Sequence, residues 1–291
     1  MAKTAWVFPG QGSQSVGMDA DLSDAVRDRF TEAENILGWS VLDVCQNEDK
    51  LNHTLYTQPC LYVVECILAD LLKENGQQPD VVAGHSLGEY SALYAAGVFS
   101  FAAGLRLVKH RAELMSQASS GAMAALMGFK RDELDAKIAE TEGVVLANDN
   151  NPGQVVISGT PEAVETVMDG VKSKRAVKLN VSGAFHSPLM AEASQEFETA
   201  LSDVNFRDAI IPVMSNVDPK PETSAAALKE RLRQQMTGSV RWREISLNLP
   251  EQSVDTVVEV GPGKVLTGLI KRTCKGLTLN NVTSAEAASA K

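Results

Sequence analysis

Short apolar runs alternate with stretches of helical periodicity along most of the chain. Strands are predicted at residues 5–8 and 254–260. Between them, apolar side chains recur every three or four positions from residue 22 to residue 37, and again within residues 59–75, which predicts amphipathic helices. Strands that alternate with helices favour a parallel sheet with both faces covered.

The pattern changes between residues 122 and 186. Its predicted order is strand, helix, two strands, helix, strand, which is the ferredoxin-like βαββαβ plan. The strands are predicted at residues 122–127, 144–147, 154–158 and 176–181, and the helices at residues 132–142 and 161–174. We therefore expect an inserted subdomain at residues 122–186, and a large α/β core built from residues 1–121 and 187–291.

The remaining predicted elements belong to the core. Ser23 and Ser100 are expected to cap helices. Two more strands and two more helices are predicted at residues 210–214, 277–282, 224–235 and 264–273. The low-complexity tail, residues 284–291, is expected to be frayed.

One strand leads directly into a nucleophile-elbow pattern. The apolar run at residues 81–83 passes through Gly84-x-Ser86-x-Gly88 into a predicted helix at residues 90–96. Strand, sharp turn with a serine, and helix form the context in which this pattern presents a nucleophile. Alone, so short a pattern also arises by chance. In this context it predicts an α/β-hydrolase-like core with Ser86 as the nucleophile.

A serine nucleophile needs a base, and the chain has 4 histidines. His53 lies in a polar loop, and His110 lies on a helix. His85 adjoins Ser86, so its side chain is expected to point away and support the turn. His186 lies in a loop between a strand and a helix, where active-site residues concentrate, and it is our candidate base. No acidic residue is singled out to orient it, and a backbone carbonyl could serve instead.

Arg111 is a charged residue on an otherwise apolar face of its predicted helix. Its neighbours three and four residues away are Leu107, Val108, Leu114 and Met115, so it lies on a buried face. An unpaired buried charge is costly. Its partner is either an internal Asp or Glu, or the carboxylate of a substrate held as a bidentate pair.

Composition excludes several classes of function. The chain has 291 residues, 44% hydrophobic and 22% charged, as in an ordinary globular protein, and a net charge of −10 argues against nucleic acid as a partner. No signal-peptide pattern or membrane-length apolar run is expected. Cys45, Cys60, Cys66 and Cys274 lack metal-site spacing and suggest reduced thiols in a cytoplasmic protein. Nothing demands a metal or a cofactor.

Six motifs follow one another along nearly the whole chain. They are residues 8–14 (FPGQGSQ), residues 84–89 (GHSLGE), the helix with Arg111, residues 152–159 (PGQVVISG), residues 184–187 (AFHS) and residues 260–264 (VGPGK). In sequence and in order they resemble the motifs of malonyl-CoA:acyl carrier protein transacylases.

The resemblance implies a ping-pong reaction. Ser86 would take the malonyl group from malonyl-CoA and pass it to the phosphopantetheine thiol of an acyl carrier protein, with His186 as general base and acid. The remaining implied roles are an oxyanion hole from the backbone N–H groups of Gln11 and Leu87, substrate contacts from Arg111, Asn148, Asn150 and Phe185, and a carbonyl of Gln252 that orients the histidine. A bulky Phe185 would disfavour an α-methyl branch.

Alternative functions stay open at this point. One is a serine thioesterase or hydrolase, which the elbow alone permits. Another is a freestanding acyltransferase of a polyketide synthase or malonate decarboxylase, and a third is a non-catalytic carrier-binding module. A carrier protein is expected to be acidic, so docking needs a local basic patch. The two candidates are Lys264, Lys271, Arg272 and Lys275, and Lys172, Lys174, Arg175 and Lys178. The oligomeric state is open, and a monomer is compatible with the sequence.

Overall fold

Two β-sheets organise the protein. The computed structural model describes residues 3–22, 26–118, 120–181 and 183–290. Within these residues the strands are β1 Lys3–Phe8, β2 Val81–Gly84, β3 Ala122–Met127, β4 Val144–Asn151, β5 Gln154–Gly159, β6 Arg175–Lys178, β7 Val213–Met214, β8 Val254–Val260 and β9 Thr278–Val282. One sheet has the order β7-β2-β1-β8-β9 and is parallel throughout. The other has the order β4-β5-β3-β6 and is antiparallel.

Helices connect and cover these strands. In chain order they are α1 Arg27–Leu37, α2 Val41–Cys45, α3 Glu48–Leu51, α4 Thr54–Glu74, α5 Gly88–Ala95, α6 Phe101–Gln117, α7 Arg131–Glu140, α8 Pro161–Gly170, α9 Ala191–Asp203, α10 Ala225–Gln235, α11 Trp242–Glu251, α12 Val265–Thr273 and α13 Ala285–Ser289, with a short 3₁₀ turn at Pro188–Met190.

The parallel sheet is buried on both faces, as the pattern predicts. Along β1, Trp6 and Phe8 pack into the larger hydrophobic core, while Ala5 and Val7 pack into a separate core with α11 and α12. Successive side chains of a strand point to opposite faces, so a strand covered on both sides is apolar throughout. The predicted fold class, a parallel α/β sheet with a second antiparallel sheet, is confirmed.

The second sheet has the ferredoxin-like strand order. All of its strands lie inside residues 122–186, and β3 has the predicted bounds. β4 runs four residues past its predicted end, because polar residues 148–151 continue to pair with β5 through two register irregularities. The third hydrophobic core lies between this sheet and helices α7 and α8. The division into a core and an inserted subdomain stays a prediction.

The helix α4 begins five residues before its predicted start at Pro59, which lies inside the helix. By length and composition α4 could cross a membrane, but 78% of its most apolar window is buried within the protein. Its apolar character is therefore accounted for by its place in the core, where residues from Gln58 to Ala69 are all buried.

The predicted frayed tail is wrong. Residues 285–289 form α13, which Ser284 caps through the N–H of Ala287. The Asp21 carboxylate accepts the N–H of Ala285 at 2.7 Å, and Ala288 is fully buried. One buried alanine and two side-chain caps order a segment whose composition alone suggests disorder. The predicted cap Ser23 lies outside the described residues, and Ser100 caps α6 as predicted.

The carboxyl ends of β1 and β2 meet side by side. Phe8 pairs with Gly84 at the last position of both strands, so the loops at residues 9–14 and 85–87 leave the sheet together. Ligands of parallel α/β sheets bind at this edge.

Two glycines allow this close approach, and their replacement tests it. A Cβ on Gly84 would lie 1.9 Å from the carbonyl oxygen of Gly88. We expect Gly84→Ala to lower the free energy of unfolding in urea by about 3 kcal/mol or more. The control is Gly268→Ala in α12, where a Cβ would have no neighbour within 4 Å. This variant should gain about 0.5–1 kcal/mol. An equal, small effect of both variants would contradict the tight packing at the elbow.

Candidate active site

Ser86 lies on a strained turn between β2 and α5. Its φ is 52°, in the left-handed region that side chains rarely adopt. Asn216, just after β7, holds the turn: its Oδ1 accepts the N–H of Ser86 at 2.7 Å and its Nδ2 donates to the Gly84 carbonyl at 2.6 Å. The serine side chain is thereby presented at the carboxyl edge of the parallel sheet.

His186 is the histidine that the fold brings to Ser86. Its Nε2 lies 2.8 Å from Ser86 Oγ. Its Nδ1 lies 3.0 Å from the Gln235 carbonyl oxygen and 3.2 Å from that of Gly238. Both partners are acceptors, so Nδ1 carries the proton and Nε2 is left to accept one from the serine. Of the other histidines, His53 is exposed and His110 lies near Glu113.

The prediction that Gln252 orients the histidine is wrong. Gln252 caps the end of α11 and precedes β8, so it lies at the amino edge of the parallel sheet. The site is at the carboxyl edge, and β8 alone spans about 23 Å at 3.3 Å per residue. The segment after α10, with Gln235 and Gly238, passes the histidine instead.

The environment of His186 favours the neutral imidazole. Burial and the charge of Arg111 lower the pKa of His186 to about 3. The ring is therefore available as a base at neutral pH, and the tautomer is set by two backbone carbonyls, without an acidic partner.

Arg111 points at the same serine. Its Nη2 donates to Ser86 Oγ at 3.0 Å and to Gln235 Oε1 at 3.2 Å, and its Nη1 donates to Gln58 Oε1. The guanidinium also lies 5.4 Å from the centre of the Tyr90 ring. In the part of the chain that the structure describes, no carboxylate lies within ion-pair distance of Arg111. The internal salt bridge is therefore not its explanation.

A cavity of about 110 Å³ opens above Ser86. Its wall includes Gln11, Leu87, Asn148 and Phe185, in addition to Ser86, His186 and Arg111. Among the described residues, the backbone N–H groups of Gln11 and Leu87 have no hydrogen-bond acceptor. Two free amides beside a nucleophile are what an oxyanion hole requires.

Asn150 has a different place from the one predicted. Its Oδ1 accepts from His85 Nε2 at 2.8 Å, and it is not among the residues that line the cavity. His85 also packs on Trp242, with ring centres 5.6 Å apart. His85 itself lines the cavity, and Asn150 holds His85 rather than lining the cavity. The support of the turn by His85 stays a prediction.

The sequence is similar to a known family of enzymes over nearly its whole length. Residues 5–290 match the family model of the acyl transferase domain. The chain belongs to this family. A similar acyl transferase is the malonyl CoA-acyl carrier protein transacylase of Synechocystis sp., 60% identical over 96% of this chain and 97% of that protein.

Solved acyl transferase structures share the fold over its full length. The crystal structure of the Synechocystis malonyl-CoA:ACP transacylase superimposes with a TM-score of 0.97, at 58% identity over 98% of this chain and 99% of that one. A malonyl-transacylase in complex with the holo acyl-carrier protein of a type II polyketide synthase superimposes with a TM-score of 0.93, at 39% identity over 99% of this chain and 98% of that one.

Several residues that contribute polar groups to this acyl transferase site escape sequence-based prediction. They are Gln58, Asn216, Gln235 and Gly238. Asn216 could have been found, because it follows β7 at the edge of the sheet where the site lies. Gly238 contributes only a carbonyl, and the side-chain pattern carries no signal for it.

The low pKa of His186 in this acyl transferase predicts how stability depends on pH. Its folded value of about 3 lies below its ordinary value of 6.5. The unfolded chain therefore binds a proton that the folded protein does not, and the free energy of unfolding falls as pH decreases from 6.5 towards 3. Replacement by Gln, which cannot titrate, should remove this contribution. Urea unfolding of wild type and His186→Gln at several pH values measures it. Parallel curves for the two proteins would contradict a depressed pKa.

Proposed function

We propose that this chain transfers the malonyl group of malonyl-CoA to the phosphopantetheine thiol of an acyl carrier protein through a malonyl ester of Ser86. The observation that carries the proposal is the convergence of a base and a cation on one serine oxygen: His186 at 2.8 Å and Arg111 at 3.0 Å. The first group removes the serine proton, and the second can bind a carboxylate at the far end of the acyl group. The similarity to the Synechocystis transacylase supports the same substrates.

The first half-reaction uses the neutral His186. Its Nε2 takes the hydroxyl proton as Ser86 Oγ attacks the thioester carbonyl carbon. The N–H groups of Gln11 and Leu87 donate to the developing oxyanion, and the amino end of α5 adds its dipole. The C–S bond then breaks and the imidazolium returns the proton to the sulfur, which releases CoA with a free thiol.

The second half-reaction runs the same steps with another thiol. The phosphopantetheine thiol gives its proton to His186 Nε2, and its sulfur attacks the ester carbonyl. The C–O bond breaks and Ser86 recovers its proton. Throughout, Arg111 holds the malonyl carboxylate, and Asn148 and Phe185 form the wall beside it. The limited space at Phe185 disfavours methylmalonyl by a factor of roughly 10–200.

The alternatives have less support. Hydrolysis does not require a buried cation beside the serine, whereas Arg111 lies there without an internal carboxylate as its partner. A polyketide acyl transferase would share this site, as the similarity to a transacylase bound to a polyketide carrier indicates. We propose a role in fatty acid synthesis, and the identity of the carrier protein that accepts the malonyl group decides between the two pathways. The buried free thiols of Cys45, Cys60 and Cys66 support a cytoplasmic location, and we propose that the enzyme acts as a monomer without metal or cofactor.

The carrier protein, in this proposal, docks on α12. Lys264, Lys271 and Lys275 line an open groove beside β9, and no Asp or Glu of the described residues contributes to its wall. Among the described residues, the ion pairs involve none of these lysines. Gly263, which precedes Lys264, lies against Ser13 in the loop that carries Gln11. In the second basic set, by contrast, Lys178 is paired with Glu165 at 3.1 Å.

An intact-mass measurement tests the reaction. Wild-type protein mixed with malonyl-CoA and no acceptor should gain one malonyl group, which holo carrier protein then removes. Ser86→Ala should gain none. Hydrolysis of malonyl-CoA without an adduct would indicate a hydrolase. If the protein formed no adduct and did not turn over malonyl-CoA, malonyl transfer would be excluded.

Charge reversal on α12 tests the docking surface. We expect Lys271→Glu to slow transfer to the carrier by about tenfold at low salt, because a charge at the rim of an interface acts mainly on association. The rate of malonylation by malonyl-CoA should stay unchanged. Lys178→Glu is the matched control and should leave both rates unchanged. Equal loss of both half-reactions in Lys271→Glu would show that α12 is not the dock.

A further inference from the structure

The contacts that hold Arg111 are all neutral. The side chain is 1% exposed, yet its hydrogen-bond acceptors are the amide oxygens of Gln58 and Gln235 and the hydroxyl of Ser86. Arg111 Nε is also buried and has no acceptor among the described residues. A guanidinium is the most permanently charged side chain, and its burial without a counter-ion is costly. Among the described residues, the structure therefore keeps a cation without a directly paired carboxylate beside the nucleophile.

Amide oxygens can hold a guanidinium in place without cancelling its charge. The acid Glu89 is linked to Arg111 only through an intervening amide: Gln235 Nε2 donates to Glu89 Oε2 at 2.8 Å, and Gln235 Oε1 accepts from Arg111. Among the described residues, the wall of the cavity contains no Asp or Glu. Glu89 acts on Arg111 through space, but it makes no direct ion pair, so the guanidinium is available to an anionic group that enters the cavity.

Gln58 is the amide with the simpler set of contacts. It lies on α4 and is 1% exposed. Its Nε2 donates to the sulfur of Met115 at 3.3 Å, and its oxygen accepts from Arg111. Gln235 has several further tasks, because its side chain also binds the Ser86 carbonyl and its own carbonyl orients His186. A change at Gln58 therefore acts on Arg111 without moving the catalytic pair directly.

We propose that Gln58 is a specificity-determining residue, whose neutral amide reserves the charge of Arg111 for the carboxylate of the acyl group. A carboxylate at this position would pair with Arg111 internally, and the pocket would then suit an uncharged acyl group. The inference rests on the proposed function, in which the acyl group carries a carboxylate. Glutamine and glutamate have nearly the same shape. Exchange of the amide nitrogen for a carboxylate oxygen therefore decides whether the pocket suits a charged or an uncharged acyl group.

The test compares malonyl-CoA with acetyl-CoA in two variants. In Gln58→Glu, we expect kcat/KM for malonyl transfer to fall about 100-fold, the scale of effect of losing a partner of a buried charge. Transfer of acetyl, which has no carboxylate, should fall much less than transfer of malonyl, so the malonyl-to-acetyl ratio falls steeply. Gln58→Met is the matched control, because it removes the acceptor and adds no charge. It should keep the wild-type ratio within about threefold, even where both rates decline.

The outcomes separate this inference from the proposed function. Wild-type protein that forms no malonyl ester would overturn the function itself. With the wild-type ester established, an equal loss of malonyl and acetyl transfer in Gln58→Glu would show that Gln58 is only structural. Labelling of Ser86 by a fluorophosphonate, which needs no carboxylate site, reports whether each variant keeps its fold. Should Gln58→Glu fail to fold, Gln58→Met still decides, since loss of the malonyl preference in that variant would overturn the proposal.

Discussion

The site depends on how closely two strands and one turn approach each other. The backbone at Gly88 packs so tightly against the Phe8 carbonyl that a Cβ would lie 2.0 Å from its oxygen. This contact places the start of α5 directly on the end of β1. The loop after β1 and the loop after β2 can then present Gln11 and Leu87 to the same point. A side chain in the turn would separate the two amides, and with them both halves of the oxyanion hole.

Around that point the protein uses dipoles where many enzymes use charges. His186 is oriented by two carbonyls and Arg111 by two amide oxygens. Burial and, after it, the positive charge of Arg111 lower the pKa of His186, so the base stays neutral beside a permanent cation. An acidic residue at either place would compete with a malonyl carboxylate for Arg111. A neutral frame therefore serves both the base and the binding of an anion.

The sequence predicts the parts of this arrangement that depend on local chemistry. Ser86 follows from its glycines, His186 from elimination, and the anomaly of Arg111 from four apolar neighbours. The sequence pattern does not predict Gln58 as a site residue, and the reason is also local. Proline favours the first turn of a helix, so the pattern starts α4 at Pro59 and leaves Gln58 outside it. The structure starts α4 at Thr54, which puts Gln58 on the buried face. The carbonyls of Gln235 and Gly238 depend on where a distant segment crosses the sheet edge, and no side-chain pattern encodes that path.

That segment also connects the catalytic histidine to the second sheet. Two residues after Gly238, Val240 donates to the Ala147 carbonyl at 2.8 Å and accepts the N–H of Asp149 at 2.9 Å. The Asp149 side chain, 5% exposed, then pairs with Arg243 from the core and with Arg131 from its own side. These two ion pairs hold the end of β4 against α11 on one side and against α7 on the other. The strand that carries Asn148 and the segment that orients His186 are therefore joined directly, by the two backbone hydrogen bonds of Val240.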